Sequence, residues 1–413
     1  MLTARTLTDG RLAEFDTVVS GAFYADVHED QPKALALLDP ARTHGIFDGT
    51  TLIGGGTMLA RSMTLPGTGP VPIAAVSWVG IAADQRRRGA LTTLMRAQLH
   101  GLHESGGDAV AVLWASEGGI YGRFGYGLAS RRTTLTVPRG AELRSDVDAG
   151  SERVTLLEPD AAAPAVRKVH AEYAATRIGG LSRPEPAWEL TFHDPERWRG
   201  GATAMRCAVV SGGYALFRVK ENWDGRHGPQ HTVRVHELAA LTPTAHAALW
   251  RFLTHLDLVG EVRYGNAPTD DPLPFMLDNP RHAATDLNDG MYVRLVDVDR
   301  ALLARRYSAP LDIVIDLSDE FCPWNAGRWH LSVSDSGSGS GFGSGSGDVR
   351  VERTDADADL ACSSTDLGAV YLGSSRLSAL AAAGRVRELR PGAVRAATAA
   401  FAAEHGPHCL EVF

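Results

Sequence analysis

The chain has 413 residues, 44% of them hydrophobic and 22% charged, with a formal net charge of −8. That length predicts two or three domains, and the acidic balance argues against a nucleic-acid binder while mildly favouring cationic ligands. No run approaches the roughly 18 unbroken apolar residues of a membrane span, and the opening MLTARTLTDGRLAEF lacks the apolar core of a signal peptide, so a cytoplasmic protein is expected.

Helix and strand signals alternate in the first 150 residues. Thr8 and Asp9 can cap a helix carrying Leu12, Phe15, Val18 and Val19 on one face. GIFDGTTLIGGGTMLA reads as two strands around a turn at Asp48-Gly49, and IAAVSWVGI as a buried strand. RRGALTTLMRAQLHGLHESGG predicts a helix ended by Gly106-Gly107, and DAVAVLWA the next buried strand, which together make a βαβ unit.

Residues 151–295 repeat this style without the same glycines. MRCAVV, YALFRVK and TVRVHELAAL predict consecutive strands, followed by the helix TPTAHAALWRFLTHLD with Thr242 or Thr244 as cap. The recurrence hints at a degenerate internal duplication. From 296 to 413, LDIVIDL, RWHLSV and DVRVER predict strands, with the low-complexity stretch SDSGSGSGFGSGSG as a loop at 334–347. Short helices, the helix PGAVRAATAAFAAEH and a closing strand CLEVF complete a mixed α/β (α+β) chain.

Chemistry concentrates in two stretches. In VSWVGIAADQRRRGALT a buried strand runs through a short arginine-rich turn into a helix. The N–H groups and dipole of a helix start suit a pyrophosphate, Gly89 lets the backbone approach it, and Arg86, Arg87 and Arg88 add charge. In ASEGGIYGRFGYG, glycines separate three aromatic residues, Tyr121, Phe124 and Tyr126, at the end of the next strand. His28, His100 and His103 have no metal-ligand spacing, and Cys207, Cys322, Cys362 and Cys409 form no CxxC pair, so no metal site is expected.

The first stretch resembles the acetyl-CoA motif Q/R-x-x-G-x-G/A of GNAT acetyltransferases, here Arg86 to Leu91, with Leu91 departing from the small last residue. With ASEGGIYGRFGYG it resembles the enhanced-intracellular-survival (Eis) family of actinobacterial N-acetyltransferases over the whole chain. The resemblance implies tandem GNAT domains, 1–150 with the cofactor motif and 151–295 without it, then a sterol-carrier-protein-like domain at 296–413, assembled as a homohexamer. It implies acetyl-CoA as co-substrate on Val79, Gly80, Ile81, Arg87, Arg88, Gly89, Ala90, Leu91, Thr92, Ala115 and Ser116. Tyr126 is then the general acid, and the carboxylate of Phe413 the general base or an anchor for the ammonium group. Asp26 and Glu411 would bind a cationic amine, an aminoglycoside foremost, with polyamines or lysine side chains as alternatives. A rival reading is a lipid- or partner-binding protein whose GNAT domain is vestigial.

Overall fold

The computed structural model describes residues 1–334 and 348–413; the Gly/Ser loop expected at 334–347 lies, from residue 335 on, outside the described residues. Three sheets organise the chain. The first orders Leu2–Thr6, Thr43–Asp48, Thr51–Thr64, Pro70–Ile81, Val110–Trp114, Met291–Leu295 and Gly127–Leu128. The second runs Ala284–Asp289, Arg131–Pro138, Val259–Pro268, His231–Ala240, Gly213–Lys220, Arg206–Val210 and Thr155–Leu157. The third holds Val349–Arg353, Gly327–Val333, Leu311–Ser318, Leu360–Ser363 and Arg387–Glu388.

Strands cross the expected divisions at 150 and 295. Arg131–Pro138 belongs to the second sheet, and Met291–Leu295 returns to the first, between Val110–Trp114 and Gly127–Leu128. The first two units therefore interlock through the main chain.

Each of these two sheets contains one βαβ unit. Helix Ala90–Glu104 joins the parallel strands Pro70–Ile81 and Val110–Trp114 and buries Ala90, Leu94, Met95, Leu99 and Leu102 along one face. Burial of each leucine contributes about 1.5–3 kcal/mol, enough to hold a helix that would be marginal alone. In the second sheet, helix Pro243–Thr254 joins the parallel strands His231–Ala240 and Val259–Pro268, and the Thr242 side chain caps it by accepting from the Ala245 N–H at 3.1 Å. The duplication is thus visible as two forks of parallel strands.

Two local expectations fail. Thr8 has extended backbone but makes no side-chain cap bond, and a 3-10 turn, Asp9–Arg11, precedes helix Leu12–Ala22. Among the described residues, CLEVF pairs with no strand. Instead the tail is threaded against the second unit. The His408 N–H donates to the Ile178 carbonyl at 2.7 Å, and Asn266 Nδ2 donates to the carbonyls of Cys409 and Leu410 at 3.0 and 3.3 Å. Burial lowers the pKa of His408 to about 4, so its ring is neutral at pH 7. Nε2 then donates to the Asn266 carbonyl at 2.7 Å while Nδ1 accepts from the Tyr173 hydroxyl at 2.8 Å. Side-chain anchors replace a ladder, which is why hydrophobic alternation at the end of the chain misreads as a strand.

The third unit docks on the glycine-rich turn of the first. A Cβ on Gly127 would lie 2.0 Å from the Thr365 carbonyl and 2.3 Å from the Ala369 nitrogen, both main chain of helix Ser364–Val370. Neither can yield as a side chain tip would. Gly127→Ala is expected to lower stability by about 1–3 kcal/mol, read as a fall in Tm; an unchanged Tm would show that the helix contact is dispensable.

Candidate active site

Pro70–Ile81 and Val110–Trp114 pair only from Ala74↔Ala111 to Val76↔Leu113, although the first strand continues to Ile81. Beyond Val76 the strands diverge, and main-chain groups on that edge face the gap without a ladder partner. A bulge marks the fork. Register on the other side jumps from Thr57↔Ser77 to Gly55↔Gly80, placing an extra residue on the Pro70–Ile81 strand. Trp78 absorbs it at φ 50°, in the left-handed region that few side chains adopt.

The gap opens into a cleft of about 630 Å³. Its floor is the Ala90–Glu104 helix start, where Gly89 sits at φ 84° with no side-chain cap, leaving the leading N–H groups free to bind an anion. Of the residues expected to hold acetyl-CoA, Val79, Gly80, Ile81, Arg87, Gly89, Ala90, Leu91, Thr92 and Ser116 line this cleft. Arg88 and Ala115 do not. Arg88 turns away to pair with Asp48 at 2.7 Å, and Ala115 packs into the core beneath. Arg86 lines the cleft but is spent on structure, donating to the carbonyls of Ile81 at 3.1 Å and Ala22 at 2.7 Å. Charge count along RRRG thus overstates what reaches the ligand. Free strand edge, uncapped helix start and Arg87 together fit the pantetheine and pyrophosphate of acetyl-CoA.

The structure separates the two tyrosines. Tyr121 lines the cleft beside Ser116 and Ile120; Tyr126 does not. Tyr126 is 1% exposed in the core beneath, and its hydroxyl has no hydrogen-bond partner. Burial raises the pKa of Tyr126 far above the ordinary phenol value despite the opposing Arg294 charge. The general-acid role expected of Tyr126 thus falls on a hydroxyl buried beneath the cleft, while Tyr121 lines it. The two rings meet edge-on with centroids 5.9 Å apart. Burial, then the charge of Glu117, pushes the Tyr121 hydroxyl up to about 12. No local signal in the stretch tells the two tyrosines apart, because the glycines on either side of Tyr126 lie against Ser364, Thr365 and Ala369 of the third unit.

A second cavity, about 470 Å³, lies on the other side of the fork. Trp78 faces it while its neighbour Val79 faces the first cleft, so one strand wall serves both. Arg61, Arg183, Glu237 and the tail residues Leu410 to Phe413 also line it. Arg183 is 9% exposed and carries two carboxylates, Glu237 at 2.9 Å and Glu411 at 2.7 Å. Burial alone would lower its pKa, but these anions raise it. Glu237 is driven up by burial and down by Arg183, and the net shift is downward.

The expected amine-binding carboxylates come apart here. Glu411 lines the cavity, but Arg183 and, at 3.5 Å, Arg61 share its charge. Asp26 is exposed on the loop after the first helix and lines neither cavity. Its neighbour Asp30 is tied to Arg197 and His193. Phe413 does reach the cavity wall. His100 and His103 pack on Trp324 of the third unit, His103 stacking at 4.0 Å.

Two models of a GNAT acetyltransferase domain match, at residues 3–129 and 179–295, and a sterol carrier protein domain model matches 298–410. An uncharacterized N-acetyltransferase of Streptomyces avermitilis is 40% identical over 403 residues, 95% of either chain. N-acetyltransferase Eis of Mycobacterium tuberculosis is 34% identical, covering 87% of this chain and 85% of its own. The crystal structure of Eis1 from Mycobacterium abscessus superposes with a TM-score of 0.85 at 32% identity over the whole of both chains. A GCN5-related N-acetyltransferase from Anabaena variabilis, 18% identical, shares the fold with a TM-score of 0.82. Among the described residues, no helix is long and apolar enough to cross a membrane.

Proposed function

The chain belongs to the Eis family of GNAT N-acetyltransferases, and from that premise we propose that it moves the acetyl group of acetyl-CoA onto a primary amine held in the 470 Å³ cavity. One observation carries this reading: the ligand cleft and the cavity share the wall Trp78–Val79, where the strand leaves its partner. An amine in the cavity then meets a thioester in the cleft across that wall.

Acetyl-CoA supplies an activated acyl carbon and a thiol leaving group. The N–H groups of Val79 and Ile81 polarise its carbonyl, and the free N–H groups after Gly89 with Arg87 hold its phosphates. Tyr121 donates a hydrogen bond to the departing sulfur. The carboxylate at Phe413 anchors the ammonium form, and a water beside it takes the proton; direct abstraction by a group titrating near 3.5 from one near 10 is far uphill.

The family resemblance carries an aminoglycoside acceptor with it. Several ammonium groups call for several free carboxylates, whereas Glu237 and Glu411 are both committed to Arg183 and Asp26 lies outside. These charges favour an acceptor that presents one amine to the fork.

The test is thiol release from acetyl-CoA with single amines and with kanamycin. We expect turnover that rises with pH as the amine loses its proton. Extending the chain beyond Phe413 is expected to cut that turnover at unchanged acetyl-CoA affinity. Full activity in the extended protein would remove the carboxylate from the mechanism, and no thiol release with any amine would end the enzyme reading.

A further inference from the structure

The cavity wall carries guanidinium donors that the neighbouring side chains leave unanswered. Three guanidinium groups line it, those of Arg61, Arg132 and Arg183, with the carboxylates of Glu237 and Glu411 and, near the fork, that of Phe413, which the reading above reserves for the amine. Arg183 absorbs both carboxylates at close range. Among the described residues Arg61 keeps only a 3.5 Å contact to Glu411, and its Nε and Nη1 are buried without a partner. Buried donors are costly when nothing accepts from them, the more so on a charged group. Burial lowers the pKa of Arg61, as expected of a cation lacking a full counter-ion. Arg132 lies over the Trp114 ring at 5.4 Å, and among the described residues its only side-chain hydrogen bond is from Nε to the Asp289 carbonyl at 3.2 Å.

Thr191, His236 and Asn266 add polar groups, and most of the remaining wall is apolar. Leu37, Leu59, Trp78, Leu190 and Val235 offer hydrocarbon and one indole face. A site of this size and lining takes a compact organic molecule with a few placed polar groups. A sugar bearing many ammonium groups would set its cations against Arg61 and Arg132 and its hydroxyls against leucine.

Resting on the acetyltransferase reading above, we infer that the acceptor is an amphipathic amino acid-like molecule: a primary amine, an apolar or aromatic body, and a carboxylate or similar anion held by Arg61 and Arg132. The amine points to the fork at Trp78, the body lies on the apolar wall, and the anion completes the unpaired guanidinium groups. Arg183 remains the internal counter-ion of Glu237 and Glu411 and is not available to it.

The experiment compares amines that differ only in the anion: 4-(aminomethyl)benzoate, its methyl ester and benzylamine, with kanamycin as polycation. The readout is kcat/KM from thiol release, at saturating acetyl-CoA. We expect the acid to exceed the ester by at least about tenfold, the worth of one charge-assisted hydrogen bond. In Arg132→Met that ratio collapses toward one, through KM for the acid; Arg132→Lys retains part of it. An acid-to-ester ratio of one in the unaltered protein overturns the inference, because Arg61 and Arg132 would then be answered from within the chain. Kanamycin as the best acceptor overturns it too while leaving the acetyltransferase reading intact. Absence of thiol release with every amine defeats both.

Discussion

Replacing Tyr121 with phenylalanine is expected to lower kcat for amine acetylation by about 10²–10⁴-fold, the usual contribution of a positioned proton donor. The hydroxyl lines the cleft, and burial with the Glu117 charge places its pKa at about 12, so it is protonated throughout the working pH range. Complete transfer to a thiolate of ordinary pKa near 8.5 would be uphill by roughly 3.5 units, about 5 kcal/mol. The hydroxyl therefore acts mainly as a hydrogen-bond donor to sulfur as negative charge builds, and no basic limb from its ionisation appears below about pH 11. Affinity for acetyl-CoA, measured by calorimetry, should stay within a few fold, because the ring is retained. Tyr126→Phe is the internal control. It deletes a buried hydroxyl that has no partner, a change near neutral or slightly stabilising, and kcat should hold. The reverse outcome, a large loss at Tyr126 and none at Tyr121, would return the acid to the position assigned from the motif.

That contrast shows what was legible beforehand. The fork and its helix were, since they are written in local terms: a buried run ending at Ile81, a short turn, Gly89, then periodic leucines. The lining of the cleft followed almost residue by residue because a helix start and a strand end build that wall, and their places follow from the elements. Side-chain direction was not legible. Arg86, Arg87 and Arg88 are equivalent in sequence, yet one latches carbonyls, one faces the cleft and one pairs with Asp48. The choice between Tyr121 and Tyr126 depends on helix Ser364–Val370, more than two hundred residues away, which claims Gly127 and buries the turn before it. Strand exchange between the first two sheets is likewise a long-range outcome that no local pattern announces. Nor does Trp78 signal its own left-handed backbone, because a tryptophan there runs against local preference and is held by the bulge around it.

Arg183→Met is expected to cost about 3–5 kcal/mol of stability, the range for removing one partner of a buried ion pair. The loss falls on Glu237, 2% exposed and left with only the Tyr214 hydroxyl, and on Glu411, left with the 3.5 Å contact to Arg61. The sign of the pH dependence follows from Glu237. Its pKa in the folded protein is depressed below the ordinary value, so its contribution is present above the unfolded pKa, near 4.3, and is lost as pH falls through the folded value. In the variant, burial acts on that carboxyl without its cation, and the folded pKa rises. The deficit relative to the unaltered protein should accordingly be largest near neutrality and shrink toward pH 4, measured by denaturant unfolding at several pH values. Adding Glu237→Gln to Arg183→Met should recover part of the loss at pH 7, because an uncharged side chain then replaces the unpaired anion. If the double variant is no more stable than the single one, the pair is not what anchors this wall. Since Glu411 is two residues from Phe413, the same substitution loosens the tail. Amine turnover should drop even under conditions where the variant is fully folded, which a purely structural role for Arg183 would not produce.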